Sequence, residues 1–269
     1  GTEEDFRTLC REAGCRGIRV MLDGVFNHTG SNSRYFNAQG FYPELGAAQS
    51  RESQYYNWYS FHPWPEDYDA WWGIKTLPAV QESADSYRRF IIRDGDSVVR
   101  HWLRQGASGW RLDVADELPD DFIAEIRSAM DQEKPDSFLL GEVWEDGSNK
   151  IAYSQRRRYL LGSETNGLMN YPFRTAALDW LRGGDAACFR GTMEVIREHY
   201  PRPPLPRGTA VRPDAKPGPE RSPKAGVSRR DPATAARSAA GDESCSRCRA
   251  RSARVPNRTH NRRFANRKS

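Results

Sequence analysis

The sequence predicts an α/β chain built on a parallel sheet with helices on its outside. Two observations carry this. Through residues 1–200, amphipathic stripes alternate with short apolar runs in the order helix, strand, insertion, helix, strand, helix, strand, helix, strand, helix. Such alternation lays strands side by side in parallel with helices covering them. In addition, the carboxylates Asp23, Asp113 and Glu142 stand at the C-terminal ends of three of those runs. A closed barrel of βα units keeps its chemistry at that end, and so does a doubly wound open sheet, so the pattern alone leaves both architectures open.

Each element has its own local signal. Thr2-Glu3-Glu4-Asp5 has the form of a capping box that opens a helix. Phe6, Leu9, Cys10 and Ala13 then fall on one face at i, i+3, i+4 and i+7, and Gly14 and Gly17 end the helix. Ile18 to Leu22 reads as a strand, with Asp23 at its end. Residues 31–80 show no helical period and are crowded with rings, among them Tyr35, Phe36, Trp58, Tyr59, Tyr68, Trp71 and Trp72. A long irregular stretch is either functional or disordered, and this one is too aromatic for disorder, so it reads as a small inserted subdomain. A helical stretch from Asp85 to Gln105 is interrupted near Asp94-Gly95, and Gly109 to Val114 is the next strand. Pro119 opens a helix with the stripe Phe122, Ile123, Ile126 and Met130. Phe138 to Val143 and Leu168 to Tyr171 are further strands, and helices cover about 174–182 and 185–199.

Charge divides the 269 residues in two. Residues 1–200 hold 23 Lys and Arg against 31 Asp and Glu, a net of −8; residues 201–269 hold 18 against 5, a net of +13. All eight Trp and all eleven Tyr precede residue 201. A segment made of Arg, Pro, Ala, Gly and Ser cannot offset its own ordering entropy, so residues 201–269 are expected to be a basic, disordered tail. Charge of this kind gives only non-specific, salt-sensitive attraction to nucleic acid, and the tail has no aromatic residue beyond Phe264 to add stacking. Five Cys without framework spacing argue against a disulfide-stapled secreted fold. The compartment stays open, with the cytoplasm favoured. Cys245-x-x-Cys248 is half of a zinc pattern with no second pair. No apolar run approaches the ~18 residues of a membrane span, and nothing in the sequence speaks to oligomeric state.

The candidate chemistry lies at the strand ends. In Gly109-Trp110-Arg111-Leu112-Asp113 the Arg and the Asp are two apart, on the same face of a strand. An Arg there keeps the carboxylate ionised, as a covalent nucleophile requires. Gly141-Glu142-Val143-Trp144 closes the following strand, and a Glu confined beside a Trp is expected to have the raised pKa of a general acid. Taken singly, these are a plain ion pair and a strand-end cap. Taken together, on strands ~4.8 Å apart, they approach the ~5 Å separation of a retaining glycosidase. Asp23-Gly24-Val25-Phe26-Asn27-His28 brings a His to the same mouth, and the rings of 31–80 offer stacking faces for sugars as well as a subdomain core.

At these residues the sequence resembles the α-amylase family, glycoside hydrolase family 13. Gly17-Ile-Arg-Val-Met-Leu-Asp-Gly-Val-Phe-Asn-His-Thr-Gly30 resembles the family's first conserved region, Gly109-Trp-Arg-Leu-Asp-Val-Ala-Asp-Glu117 the second and Gly141-Glu-Val-Trp144 the third. Trp71-Trp-Gly-Ile-Lys-Thr-Leu-Pro78 and Met169-Asn-Tyr-Pro-Phe173 look like the neopullulanase, cyclomaltodextrinase and maltogenic amylase branch. The resemblance covers about residues 1–200. It implies a TIM-type (β/α)8 barrel of which strands three to six are present, with the subdomain inserted after strand three. It also implies retaining hydrolysis of α-1,4 or α-1,6 links in starch, pullulan or cyclodextrins. Asp113 would be the nucleophile, Glu142 the acid/base, and Arg111 the residue that holds the nucleophile. His28 would contact the sugar at the cleavage subsite, with Asp23 a structural carboxylate beneath. Asp116, Glu117 and Trp144 would face the leaving-group side. No cofactor is required, although Asn27 sits where some members place a calcium ligand.

The sequence also departs from the family. The fourth region is a His-Asp pair that supplies the third, transition-state-stabilising carboxylate, and no His is followed by Asp anywhere in the chain. Leu77-Pro-Ala-Val-Gln81 differs from the usual Leu-Pro-Lys-Val-Asn type. Family-like text stops near Tyr200-Pro201, and the remainder reads as a reading-frame shift in high-GC coding DNA. The expectation is a truncated hydrolase with impaired turnover. The competing reading is a dead fragment that at most binds carbohydrate weakly.

Overall fold

The computed structural model describes residues 1–152 and 155–200. The expectations of a disordered, frameshifted tail over 201–269, and the Cys245-x-x-Cys248 pattern within it, lie outside the described residues.

Helix α1, Glu3–Gly14, opens on the expected capping box. The Thr2 hydroxyl accepts from the Asp5 backbone N–H at 3.2 Å, and the Asp5 carboxylate accepts from the Thr2 N–H at 2.7 Å. Two otherwise orphaned donors are thereby satisfied. Phe6 packs edge-on against Trp102, with ring centroids 5.1 Å apart. Strand β1, Leu22–Gly24, follows. It starts later than the expected Ile18 to Leu22. Just ahead of it a single backbone bond, Ser108 N–H to the Val20 carbonyl at 2.7 Å, ties the chain to the sheet. The apolar run leading in is left partly open, with Ile18 and Met21 exposed.

Residues 31–80 are irregular but packed. Phe36 is fully buried and is surrounded by Tyr59, Phe61 and Tyr68 at 4.9, 5.8 and 4.6 Å between ring centroids. Aromatic pairs at such distances hold an irregular backbone in place without a ladder. The same core continues under the helices that follow. Helix α2, Asp85–Arg88, runs into a π-helical turn over Arg89–Arg93. The chain breaks at Asp94, as the sequence predicts, before α3, Val98–Arg104.

Strand β2, Gly109–Leu112, is followed by α4, Asp120–Glu133, which buries Phe122, Ile123, Ile126, Ala129 and Met130. Strand β3 is Phe138–Gly141. A short antiparallel pair, β4 (Ile151–Ala152) and β5 (Gln155–Arg156), was not foreseen. Strand β6, Gly167–Leu168, completes a four-stranded parallel sheet in the order β1-β2-β3-β6. The register pairs Asp23 with Arg111 and Leu112 with Gly141, which brings the C-terminal ends of the strands level. A Cβ at Gly109 would collide with the Phe138 carbonyl, so only glycine lets β2 and β3 pair from their first residues. The expected strand Leu168 to Tyr171 stops early. Asn170 caps α5, Tyr171–Leu181, by accepting from the Phe173 N–H at 2.9 Å, with Pro172 in the first turn. Helix α6, Ala186–His199, packs against α5. Among the described residues the sheet does not close into a barrel, and no helix is long and apolar enough to cross a membrane.

Candidate active site

The ends of β1, β2 and β3 gather three carboxylates around one guanidinium. Arg111 points off β2 on the same face as Asp113. Its Nη1 lies 2.6 Å from Asp23 Oδ1 and 2.6 Å from Asp113 Oδ1, and its Nη2 lies 2.8 Å from Glu142 Oε1. Burial works against the Arg111 charge, but its hydrogen bonds to Asp23 and Asp113 and the Asp23 and Glu142 charges push its pKa further up. The cation is permanent, and one group bridges the two carboxylates that the sequence singled out.

Glu142 is buried, with only 7% of its surface exposed. The Val114 N–H donates to its Oε2 at 3.1 Å, and the Tyr171 hydroxyl to its Oε1 at 3.0 Å. Burial alone would raise its pKa. Hydrogen bonds from the Trp144 side chain, the Val114 N–H and the Tyr171 hydroxyl, with the Arg111 charge, outweigh burial and hold the carboxyl below the usual range. This corrects the expectation of a raised value. The indole beside Glu142 is a donor to it as well as an apolar wall, and three further groups favour the ionised form.

Val114 is in the left-handed region, at φ 39°, ψ 52°. A β-branched residue is strained there. That conformation turns the chain sharply after Asp113 and aims the Val114 N–H at Glu142. The following turn, Ala115–Glu117, carries Asp116 and Glu117. Asp116 is engaged by Lys150 and by the Tyr159 hydroxyl. Glu117 accepts from the Trp72 indole N–H at 3.0 Å. Trp72 stacks on Trp71 at 5.0 Å and meets Trp144 edge-on at 5.7 Å. Trp72 and Trp144 are both exposed, so they form a rim of open rings beside the carboxylates.

His28 is buried against the same wall, its ring stacked on Trp71 at 5.2 Å. Burial lowers its pKa against the pull of the Asp113 charge. Asn27 is also buried, with Oδ1 3.2 Å from His28 Nδ1. No group of three or more His, Cys, Asp or Glu side chains among the described residues is arranged to hold a metal. No step below passes through a metal.

The structure thus brings Asp23, Asp113, Glu142 and Arg111 into direct contact, with His28 facing Asp113 and with Glu117 and Trp144 joined through Trp72. Asp116 is turned toward Lys150 and Tyr159. Sequence reasoning missed Val114, Tyr171, Lys150 and Tyr159. Asn170-Tyr171-Pro172 is itself a helix-start signal that could have placed Tyr171 at a helix N-terminus. A left-handed Val and a Lys or Tyr in an irregular segment carry no such signal.

A family model for the catalytic domain of α-amylase matches residues 1–198. An amylopullulanase from Thermoanaerobacterium saccharolyticum is 36% identical over 233 residues, covering 76% of this chain and 17% of the relative. A cyclomaltodextrinase from Geobacillus thermopakistaniensis is 31% identical over 211 residues, covering 75% of this chain and 32% of the relative. Among solved structures, the ligand-free cyclic α-maltosyl-(1→6)-maltose hydrolase from Arthrobacter globiformis superposes with a TM-score of 0.62 at 28% identity, covering 75% of this chain and 43% of that one. The chain thus spans 17–43% of the length of these three proteins.

Proposed function

The chain belongs to the α-amylase catalytic-domain family, and on that premise we propose that residues 1–200 are the carboxylate-bearing part of a retaining glycoside hydrolase acting on α-glucans. The observation that carries this is Arg111, which touches Asp113 and Glu142 at once from adjacent parallel strands. Two carboxylates sharing one guanidinium are neighbours, consistent with the ~5–5.5 Å separation that lets one attack the anomeric carbon while the other serves the leaving group. In this reading β1, β2, β3 and β6 correspond to barrel strands three to six. Asp113 is the nucleophile, held in place by Arg111 at 2.6 Å. Glu142 is the acid and then the base. His28 borders the cleavage subsite, and Trp72, Trp144 and Glu117 line the acceptor side. Asp116, bound by Lys150 and Tyr159, shapes that side instead of reaching the sugar. The α-glucan class is also supported by the relatives, whose names refer to pullulan, cyclomaltodextrin and cyclic maltosyl-maltose.

A second reading is favoured by one specific observation, the absence of any His-Asp pair from the sequence. Without a third carboxylate the 269-residue chain loses a contribution that commonly costs ~10²–10³-fold in rate. Its sheet edges at β1 and β6 also pair on one side only among the described residues. We therefore expect the chain by itself to bind maltooligosaccharides but not to turn them over. Tryptophan fluorescence with maltohexaose should show saturable quenching that Trp72→Ala weakens by about tenfold, the loss of ~1.4 kcal/mol of stacking. Reducing-end release from pullulan, starch and cyclodextrin should not exceed that of Asp113→Asn. Turnover well above that control would refute the inactive chain, and retention of anomeric configuration would then support the assigned pair. No saturable binding at all would overturn the α-glucan reading.

A further inference from the structure

We propose that Arg157 is a positioning residue for Glu142, acting through the turn that follows Asp113. The proposal deepens the reading of Glu142 as the acid/base and uses a residue outside every motif that carried the family resemblance.

Arg157 follows β5 and is 6% exposed. Its Nη2 donates to the Ala115 carbonyl at 3.2 Å and to the Leu118 carbonyl at 2.7 Å. Its Nε lies 3.0 Å from Asp120 Oδ1, close but not aligned as a hydrogen bond. The guanidinium also lies over the Tyr159 ring at 4.8 Å, and the Tyr159 hydroxyl donates to Asp116 in the same turn. One buried cation therefore grips both ends of the Ala115–Glu117 turn and the first residue of α4. The only covalent link from that turn to Asp113 is Val114.

Val114 is strained, and a strained residue persists only where its surroundings over-determine it. On one side Val114 and Ala115 are tied to Glu142, through Val114 N–H to Oε2 at 3.1 Å and Ala115 N–H to the Glu142 carbonyl at 3.1 Å. On the other side the turn is held by Arg157. If that grip is released, the turn is free to relax, Val114 can leave the left-handed region, and its N–H no longer points at Glu142. The planar fork of Arg spans two carbonyls and a carboxylate, which a Lys ammonium does not reproduce. The plainer alternative is a buried arginine that stabilises the fold and nothing else.

The two roles separate in a measurement that needs no turnover. In the full chain, the Val114 amide resonance should titrate with Glu142, and Glu142→Gln should abolish that titration. Wild type should show a midpoint below the ordinary Glu value of ~4.3. Arg157→Met should move the midpoint up by about half a pH unit or more, or remove the titration from the Val114 amide. Arg157→Lys, which keeps the charge beside Asp120, should show a smaller shift in the same direction and covers the case in which Arg157→Met does not fold. A folded Arg157 variant with a lower melting temperature and an unchanged Val114 midpoint would overturn the proposal, as would a Val114 titration that survives Glu142→Gln. Because the readout is a resonance, it stands or falls independently of whether the chain cleaves glucans.

Discussion

Glu164 is, among the described acidic side chains, the one whose pKa burial raises, and replacing it should stabilise the protein increasingly as pH rises from about 4.5 to about 7. It is fully buried, and neither carboxylate oxygen has a hydrogen-bond partner among the described residues. Burial, with the Asp120 charge added and the Arg158 and Arg157 charges opposing, pushes its pKa up from the usual 4.5 to about 7. Arg158 Nε approaches to 3.5 Å but is itself half exposed, which explains why it does not win. The sign follows from proton binding. Between these two values the folded chain holds a proton that the unfolded chain has released. Stability is therefore highest below about 4.5 and is lost as pH rises toward 7, with nothing further lost above. A gap of 2.5 units corresponds to about 3 kcal/mol at 1.36 kcal/mol per unit. Glu164→Gln removes the ionisation but keeps the shape. Urea unfolding followed by circular dichroism should show the variant's advantage growing by about 2–3 kcal/mol between pH 5 and pH 8.5. Any fixed cost of burying an amide cancels in that difference. An advantage that is equal at the two pH values, or larger at pH 5, would refute the reasoning.

Two further outcomes follow from the site itself. Arg111→Met leaves Asp23, Asp113 and Glu142 facing one another without their cation, and should cost about 3 kcal/mol at pH 7, in the range for breaking a buried pair. Because the folded-state pKa of Glu142 is depressed, its stabilising contribution is present above its unfolded value and lost as pH falls, so the gap between variant and wild type in urea unfolding should narrow near pH 3; a gap independent of pH would show that the lost packing, not the lost charge, dominates. His28 should titrate below its ordinary 6.5 in an imidazole NMR titration, and Asp113→Asn should lower the midpoint further by removing the one charge that favours the imidazolium; an unchanged or raised midpoint in that variant would contradict the placement of His28 beside Asp113.

How much of this was legible depended on whether the signal was periodic. Arg111 and Asp113 could be placed together because a strand has a period of two, and the α4 stripe could be read because a helix has a period near 3.6. The Thr2–Asp5 box and the break at Asp94 are local chemistry that needs no tertiary context. Strand ends were less legible. An apolar run such as Ile18–Leu22 reports the capacity to pair, whereas the ladder depends on the neighbour, and at β1 the neighbour supports only Leu22–Gly24. Leu168 to Tyr171 reads as a strand, but the cap at Asn170 starts a helix at Tyr171 instead and delivers the hydroxyl to Glu142. The segment 150–159 was illegible altogether. Lys150, Arg157 and Tyr159 acquire their roles only through their contacts with the turn after β2.

The surroundings of Glu142 bear on how such a site would work. Confinement beside an indole suggests a carboxyl ready to donate, yet four groups hold it ionised. They are not equivalent. Arg111 and the Val114 N–H are anchored, one by two other carboxylates and the other by a strained turn clamped from below. Trp144 is exposed, and Tyr171 lies at the start of a helix with no buried residue of its own. On the proposed reading, a sugar oxygen approaching Glu142 along the rim of Trp72 and Trp144 would compete with these last two donors and exclude water at the same time. Each donor lost and each increment of burial favours the neutral acid. In a retaining hydrolase the same carboxyl must give up a proton in one half of the reaction and take one back in the other. A group held ionised by fixed contacts on one side and by displaceable ones on the other suits that alternation better than a Glu held permanently neutral in an apolar pocket.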